Sequence, residues 1–194
     1  RSVIEAELKK HIVEFGEYLD EVGAQVRMFR DKGNPKLIRE YIEQVNEVSA
    51  RLEAAQTQAG EINAEEAKLS MSATFFRQFD EMDAELTPYR QLWSTALSFH
   101  QAYSTWVKGH ILTLDGEQIS RDHAEMLELF STLTTRLEAD GADEPMRFAQ
   151  SILQQLERFG MHVPVVRALS DKNLRAGHWA QISSIVGFQL SPEN

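Results

Sequence analysis

Residues 38–76 read IREYIEQVNEVSARLEAAQTQAGEINAEEAKLSMSATFF, and the spacing of their apolar members decides the fold class. Ile38, Tyr41, Val45, Val48, Leu52, Ala55, Ala59, Ile62, Leu69, Ala73 and Phe76 follow one another at intervals of three and four, with Glu66 as the one charged member of the series. That alternation belongs to a helix that lays one stripe along another helix over many turns. At a rise of about 1.5 Å per residue the stretch would run for about 58 Å, which calls for a rod. Upstream, Leu8, Ile12, Phe15, Leu19, Val22, Val26 and Phe29 form a matching stripe. Gly33-Asn34-Pro35 separates the two: glycine and asparagine accept positive φ, and proline suits the first turn of a helix. The expected structure is an antiparallel hairpin, its first arm packed on the early half of the second. Ala55 and Ala59 would permit close approach, while an intermolecular coiled coil is the competing reading.

Beyond the hairpin, Thr87-Pro88 predicts an end or bend of the long helix, with Thr87 capping a new helix that has Pro88 at its first position. This next helix is aromatic. Trp93, Ala96, His100, Tyr103 and Val107 share one face, and Leu92, Phe99 and Trp106 recur beside them, so neighbours should bury it on two sides. Gly109 ends it. Asp115 then caps a further helix, with Gln118 reaching back in a capping box, and Asp140-Gly141 breaks that helix after Ile119, Met126, Phe130, Leu133 and Leu137. Another starts around Asp143 to Pro145, shows Phe148, Ile152, Leu156 and Phe159, and closes at Gly160. After a short turn from Pro164, Ser170 or Asp171 should cap a last helix that buries Leu174, His178 or Trp179, Ile182, Ile185 and Val186 before Gly187 stops it. The fold class is therefore all-α: an elongated antiparallel helical hairpin, residues 1–86, joined to a compact helical bundle, residues 87–194. Thr87, Pro88, Tyr89, Trp93, Tyr103 and Trp106 are the expected structural junction.

Composition narrows the function classes. Hydrophobic residues make up 42% of the 194, enough for a continuous apolar seam or a modest core. The net charge of -10, from 20 basic and 30 acidic residues, argues against a nucleic-acid partner. Cysteine is absent, which removes disulfide and thiolate chemistry and fits a cytosolic or cytoskeletal setting. No apolar run reaches the roughly 18–20 residues needed to cross a bilayer, so no membrane role is expected. The chain starts at Arg1 rather than at a methionine and ends in Leu190-Ser191-Pro192-Glu193-Asn194, as a piece of a larger protein would.

The residues that could carry chemistry do not assemble a catalytic set. Neither nucleotide-binding glycine motif is present, and Gly-x-Ser-x-Gly and His-Glu-x-x-His are also missing. His11, His100, His110, His123, His162 and His178 are scattered; His123 and Glu125 point to different helix faces, and His11 with Glu14 supplies only two ligands where zinc needs three or four. These histidines read as exposed or half-buried helical residues. Asp80, Glu81, Asp83 and Glu85 read as a solvated face, because acid-base work needs two carboxylates opposed across a cleft. No catalytic, cofactor or metal residue is expected. Gly177 costs roughly 1 kcal/mol within a helix and stands before His178-Trp179, whose polar tips want partners when buried.

Those last residues carry a resemblance. Leu86-Thr87-Pro88-Tyr89-Arg90-Gln91-Leu92-Trp93, the later Trp106, Leu114-Asp115 at a helix start, and Val163-Pro164 followed by Leu169, Leu174-Arg175 and His178-Trp179 resemble the start of the linker region of dynein heavy chains. Gly177 stands where the family usually has an arginine. The resemblance runs from about Phe75 to Val186; the residues before it are like the end of the dynein tail in being long, acidic and helical. It looks more like an axonemal than a cytoplasmic heavy chain. The resemblance implies a non-catalytic mechanical segment of an ATP-driven microtubule motor, coupling ring-driven linker movement to the tail. It implies no cofactor in this segment, with ATP and magnesium held elsewhere in the parent chain. Expected partners are the remainder of the linker and the AAA+ ring, and other dynein chains or axonemal docking proteins; the expected location is the cytoskeleton of the cytoplasm, in the axoneme of a cilium or flagellum. On this view Trp93, Tyr103 and Trp106 brace the junction, and Leu174, Arg175, His178 and Trp179 position the last helix against the rest of the linker, with a hinge near Thr87-Pro88. A non-motor helical scaffold of spectrin-like kind is the alternative.

Overall fold

In the computed structural model, which describes residues 2–191, the described residues form helices and turns without a strand. The helices are α1 (Ser2–Arg27), α2 (Ile38–Lys68), α3 (Gln78–Lys108), α4 (Gly116–Ala139), α5 (Asp143–Gly160), α6 (Val163–Leu169) and α7 (Ala176–Val186). Short 3-10 turns at Met28–Asp31, Pro35–Leu37 and Ile111–Thr113 serve the connections. Two compact units result: residues 1–94 with 133–148, and residues 95–132 with 149–194.

In the first unit α1 and α2 form the expected hairpin within one chain. The Gln58 amide donates to the His11 ring nitrogen at 3.1 Å, and Arg51 donates to Gln25 Oε1 at 3.3 Å. As one number rises the other falls, which is antiparallel pairing. Leu8, Phe15, Leu19, Val22 and Val26 of α1 are buried with Tyr41, Val45, Val48, Leu52, Ala55, Ala59 and Ile62 of α2. The turn differs from expectation in its physics. Neither Gly33 nor Asn34 has positive φ. Asn34 is extended, and its Oδ1 accepts from the Lys36 N–H at 3.0 Å with Pro35 opening the turn. Gly33 is required by space: a Cβ there would lie 2.6 Å from the Glu144 carbonyl oxygen. Lys32 closes the turn, its ammonium 4.5 Å from the Phe29 ring centroid and 5.6 Å from that of Tyr41, and it donates to Gln44 Oε1. Burial lowers the Lys32 pKa, and Glu40 opposes that shift.

The second arm is shorter than its apolar spacing suggested. α2 stops at Lys68, so Leu69, Ala73 and Phe76 fall outside the helix. The cause is local: Ser70 takes φ of 60°, the Ser70 N–H donates to the Ala67 carbonyl at 3.1 Å, and the Met71 N–H donates to the Glu66 carbonyl at 2.9 Å. This pair of bonds satisfies the last carbonyls of a helix whose C-cap, Leu69, is followed by a left-handed residue. Glu66, the charged member of the stripe, is 1% exposed and holds the following segment. Its carboxylate accepts from the Thr74 N–H at 2.7 Å and the Thr74 hydroxyl at 2.5 Å. With its amide turned to donate, Asn63 adds bonds of 2.9 Å to the Thr74 carbonyl and 3.1 Å to Glu66. Phe76 then meets Phe15 edge-on at 5.1 Å.

The break expected at Thr87-Pro88 is absent. α3 runs unbroken through both residues, and Pro88 is buried inside it. Thr87 does not cap; its hydroxyl donates back to the Asp83 carbonyl at 2.7 Å. Leu86, Tyr89, Leu92 and Trp93 are buried around the proline, and that packing offsets the missing backbone donor.

The second unit holds the later part of α3, the earlier part of α4, most of α5, and α6 with α7. Phe99, Trp106, Ile119, Phe130, Ile152, Leu156 and Phe159 are among its buried apolar residues, whereas His100 and Val107 of the predicted α3 face are exposed. Asp115 Oδ1 accepts from the Gln118 N–H at 3.0 Å, but the Gln118 side chain turns to Asp122, so only half of the capping box forms. At the end of α4, within the first unit, the Gly141 N–H donates to the Glu138 carbonyl and the Ala142 N–H to the Leu137 carbonyl, with Gly141 at φ 66°, repeating the pattern at Ser70. Neither Ser170 nor Asp171 caps the last helix. The Ser170 hydroxyl accepts from the Gly116 N–H at 3.1 Å, Asp171 Oδ1 accepts from the Asn173 N–H at 2.8 Å, and α7 starts only at Ala176. Pro192, Glu193 and Asn194, part of the predicted 87–194 lobe, lie outside the described residues.

Candidate functional site

Four of the six junction residues lie in the first unit. Trp93 is fully buried, 4.6 Å from the Tyr41 ring of α2 and 5.0 Å from the Phe148 ring of α5 between centroids. Its Nε1 has no hydrogen-bond partner among the described residues, an uncommon state for a buried indole. One turn earlier Tyr89 stacks on Phe29 at 5.7 Å. Burial pushes the Tyr89 phenol up to about 12; Arg30 opposes the shift, while Asp140, Glu85 and Asp31 add to it. Thr87 and Pro88 precede it on the same helix. Arg90 then ties α3 to α2, donating to Ser49 Oγ at 3.2 Å and to Asp83 Oδ1 at 3.2 Å.

Sequence reasoning missed what braces this aromatic set. Arg30 donates to the carbonyls of Asp140 and Gly141, each at 3.2 Å, which fastens the hairpin turn to the corner between α4 and α5. Gly33 seats against Glu144 in the same place. An arginine that recognises backbone carbonyls leaves no spacing signal in a sequence, since its partners are not side chains. Beside Tyr89 lies a cleft of about 200 Å³ lined by Arg27, Arg30 and Arg136 with Glu85 and Asp140. Arg136 is already paired with Asp140 at 2.7 Å, and the carboxylates of Glu85 and Asp140 line the same cleft. This cleft is polar packing, unsuited to an anion.

Tyr103 and Trp106 lie in the second unit. Trp106 stacks on Phe159 at 5.1 Å, and Tyr103 meets Phe159 edge-on at 5.8 Å. His123 completes the group. Contrary to the surface or half-buried reading, it is buried, and its Nε2 donates to the Leu156 carbonyl at 2.7 Å. Gly160 makes room for it, since a Cβ there would lie 3.3 Å from His123 Cε1.

The second predicted group surrounds the start of α7, in the second unit. Leu174 and Arg175 precede the helix rather than lying within it. His178 Nδ1 accepts from the Arg175 N–H at 3.0 Å, so the ring caps the helix from its third position. Trp179 is buried at 6% exposure, while Arg175 and His178 are exposed and Gly177 faces open space. Among the described residues no group of three or more His, Asp or Glu side chains is placed to hold a metal ion. Among the described residues no helix is long and apolar enough to cross a membrane.

A family model described as "Dynein heavy chain, N-terminal region 2" matches residues 79–194. The chain is similar to dynein axonemal heavy chain 3 of Mus musculus and of Homo sapiens, each 28% identical over 194 residues and covering 99% of this chain. It is also similar to dynein axonemal heavy chain 12 of Homo sapiens, 24% identical over 180 residues and 91% of this chain. The chain spans 5% to 6% of the length of these curated relatives.

Proposed function

This chain belongs to the dynein heavy-chain family, and we propose that it is a mechanical segment of an ATP-driven microtubule motor, coupling movement of the linker to the tail. The observation that carries the reading is the coincidence of the family match with α3: the match begins at residue 79, and α3 runs without a break from Gln78 to Lys108. An unbroken helix transmits load along its axis through every backbone hydrogen bond. At Pro88 one of those bonds is missing, which gives α3 a compliant point rather than a free joint. Residues 1–86 act as the tail-like part and 87–194 as the linker-like part, a division of roles that falls within a continuous helix.

In this reading Thr87, Pro88, Tyr89 and Trp93 anchor α3 in the first unit, and Tyr103 and Trp106 anchor it in the second. Leu174, Arg175, His178 and Trp179 set the position of α7 for contact with the remainder of the linker. ATP and magnesium act at the AAA+ ring of the parent chain, beyond these residues. The axonemal names of the relatives support a place in a cilium or flagellum, with other dynein chains or axonemal docking proteins as further partners.

The test is a complete motor carrying Trp93→Ala and Trp106→Ala, compared with the milder Trp93→Phe and Trp106→Phe. The alanine pair should retain ring ATPase while stepping and stall force fall, and the phenylalanine pair should lie between it and the wild type. Unchanged stepping and force in a folded alanine variant would remove this segment from the load path.

A further inference from the structure

Many hydroxyls of this chain are spent inside their own helices: those of Thr57, Thr87, Ser94, Thr105 and Thr132 each donate to the carbonyl four residues before. Ser170 is placed differently. It follows α6 directly, and residues 171–175 after it lie outside any helix, with Asp171, Lys172 and Asn173 exposed. The sequence marks it too. Arg167 stands three places before it, and no other serine or threonine after Ser2 has an arginine or lysine in that position. An exposed arginine so spaced, ahead of a serine that opens a non-helical segment, suits an arginine-directed protein kinase, whose acidic groove holds the guanidinium while the hydroxyl meets the γ-phosphate.

The Ser170 hydroxyl holds two helices together. It accepts from the Gly116 N–H at 3.1 Å, one of the donors that the start of α4 leaves without a partner in its own helix. Its hydrogen goes to the Arg167 carbonyl at a long 3.4 Å. Arg167 adds a second tie, its guanidinium 2.7 Å from the Glu117 carboxylate. Gly116 is seated so closely on α6 that a Cβ there would lie 2.6 Å from Arg167 Cα. Beside this contact a cleft of about 360 Å³ opens, in which Asp115, Glu117 and Asp171 stand with Arg167 and Lys172 around Ser170.

We propose that Ser170 is a phosphorylation site of an arginine-directed serine kinase, and that the phosphoryl group opens the clasp between α6 and α4. The γ-phosphoryl group of a nucleoside triphosphate passes to Ser170 Oγ. The Oγ–P bond forms as the bond from phosphorus to the β–γ bridging oxygen breaks, the diphosphate leaves with that electron pair, and the hydroxyl proton goes to the kinase's base. The product carries about -1.5 to -2 charges at pH 7. Crowded by Gly116, the phosphoryl group has to turn into the cleft, where three carboxylates face two cations. Arg167 is drawn from Glu117 to the phosphate, and the Gly116 N–H loses its acceptor. Both ties open together, which frees the segment 171–175 that leads into α7. Nothing in this chemistry requires the parent chain to be a motor.

The folded chain would be incubated with an arginine-directed serine kinase and magnesium ATP, and its phosphorylated residues located by mass spectrometry. Ser170 should be the principal site. Arg167→Ala should slow its phosphorylation at least about tenfold, whereas Glu117→Gln, which breaks the ion pair but keeps the arginine, should not slow it. Phosphorylation should speed hydrogen exchange at the Gly116 amide at least about tenfold while amides of the α1–α2 hairpin keep their rates. Ser170→Ala, which removes acceptor and site at once, should show the same fast exchange without any phosphate. A Ser170 that stays unmodified in the folded chain, or is modified only after urea unfolds it, overturns the proposal. So does phosphate on Ser170 with Gly116 exchange unchanged, and so does equal slowing by Arg167→Ala and Glu117→Gln.

Discussion

Ser70 holds the left-handed conformation that ends α2, at φ of 60°, whereas Gly141 and Gly187 serve the equivalent places after α4 and α7. A side chain in that region costs roughly 1 kcal/mol or more, so Ser70→Gly should stabilise the protein by about 0.5–1 kcal/mol, measured as a shift in the urea midpoint at constant slope. Nothing in the sequence marks Ser70, because the left-handed cap is usually glycine. Glu66 was visible as an oddity in an apolar stripe, yet its partner Thr74 was hidden while the helix was read as continuing past it. Tyr89 offers a titration. Its folded pKa of about 12 lies above the ordinary value of 10.0, so its contribution to stability is complete below pH 10 and is lost as pH rises from about 10 to 12. Absorbance at alkaline pH should show a late phenol that Tyr89→Phe removes; an unchanged alkaline titration in the Tyr89→Phe variant would contradict the burial of Tyr89.

Among the elements, the hairpin turn separates two kinds of glycine. Gly33 lies against Glu144, and a Cβ there would come within 2.6 Å of backbone that cannot yield, whereas nothing lies within 4 Å of a Cβ built at Gly60 in the middle of α2. Gly33→Ala should therefore destabilise by about 1–3 kcal/mol and Gly60→Ala should stabilise by about 1 kcal/mol, both read by urea denaturation. The paired arms, the turn at residues 33–35 and the stops at Gly109, Gly141, Gly160 and Gly187 were all legible, because periodicity and helix punctuation are local properties. Pro88 misled for a physical reason. Its local preference is to open a helix, but Leu86, Tyr89, Leu92 and Trp93 bury enough surface around it to carry the helix through. The docking of Arg30 on the Asp140 and Gly141 carbonyls is a tertiary contact, beyond reach of spacing arguments.

At the scale of the molecule, the two compact units give the three tryptophans different neighbours. Trp93 packs on Tyr41 and Phe148, and Trp106 on Phe159, His123 and Tyr103. Each alanine substitution should cost about 3–5 kcal/mol, and with no ring neighbour in common the two costs should add to within about 0.5 kcal/mol. A coupling energy well above that in a double-mutant cycle would show the two sites acting together. Trp179, buried in α7, belongs to the second unit with Trp106, so the second unit carries two indoles and the first carries one. The lone Trp93 nitrogen, buried and without a hydrogen-bond partner, has an optical consequence. An indole neither solvated nor hydrogen-bonded fluoresces toward the blue edge of its range, so a chain with Trp106 and Trp179 changed to phenylalanine would carry a single spectral probe of the first unit. Its emission would redden when Tyr41 and Phe148 part from it, letting light report how far the first unit has loosened.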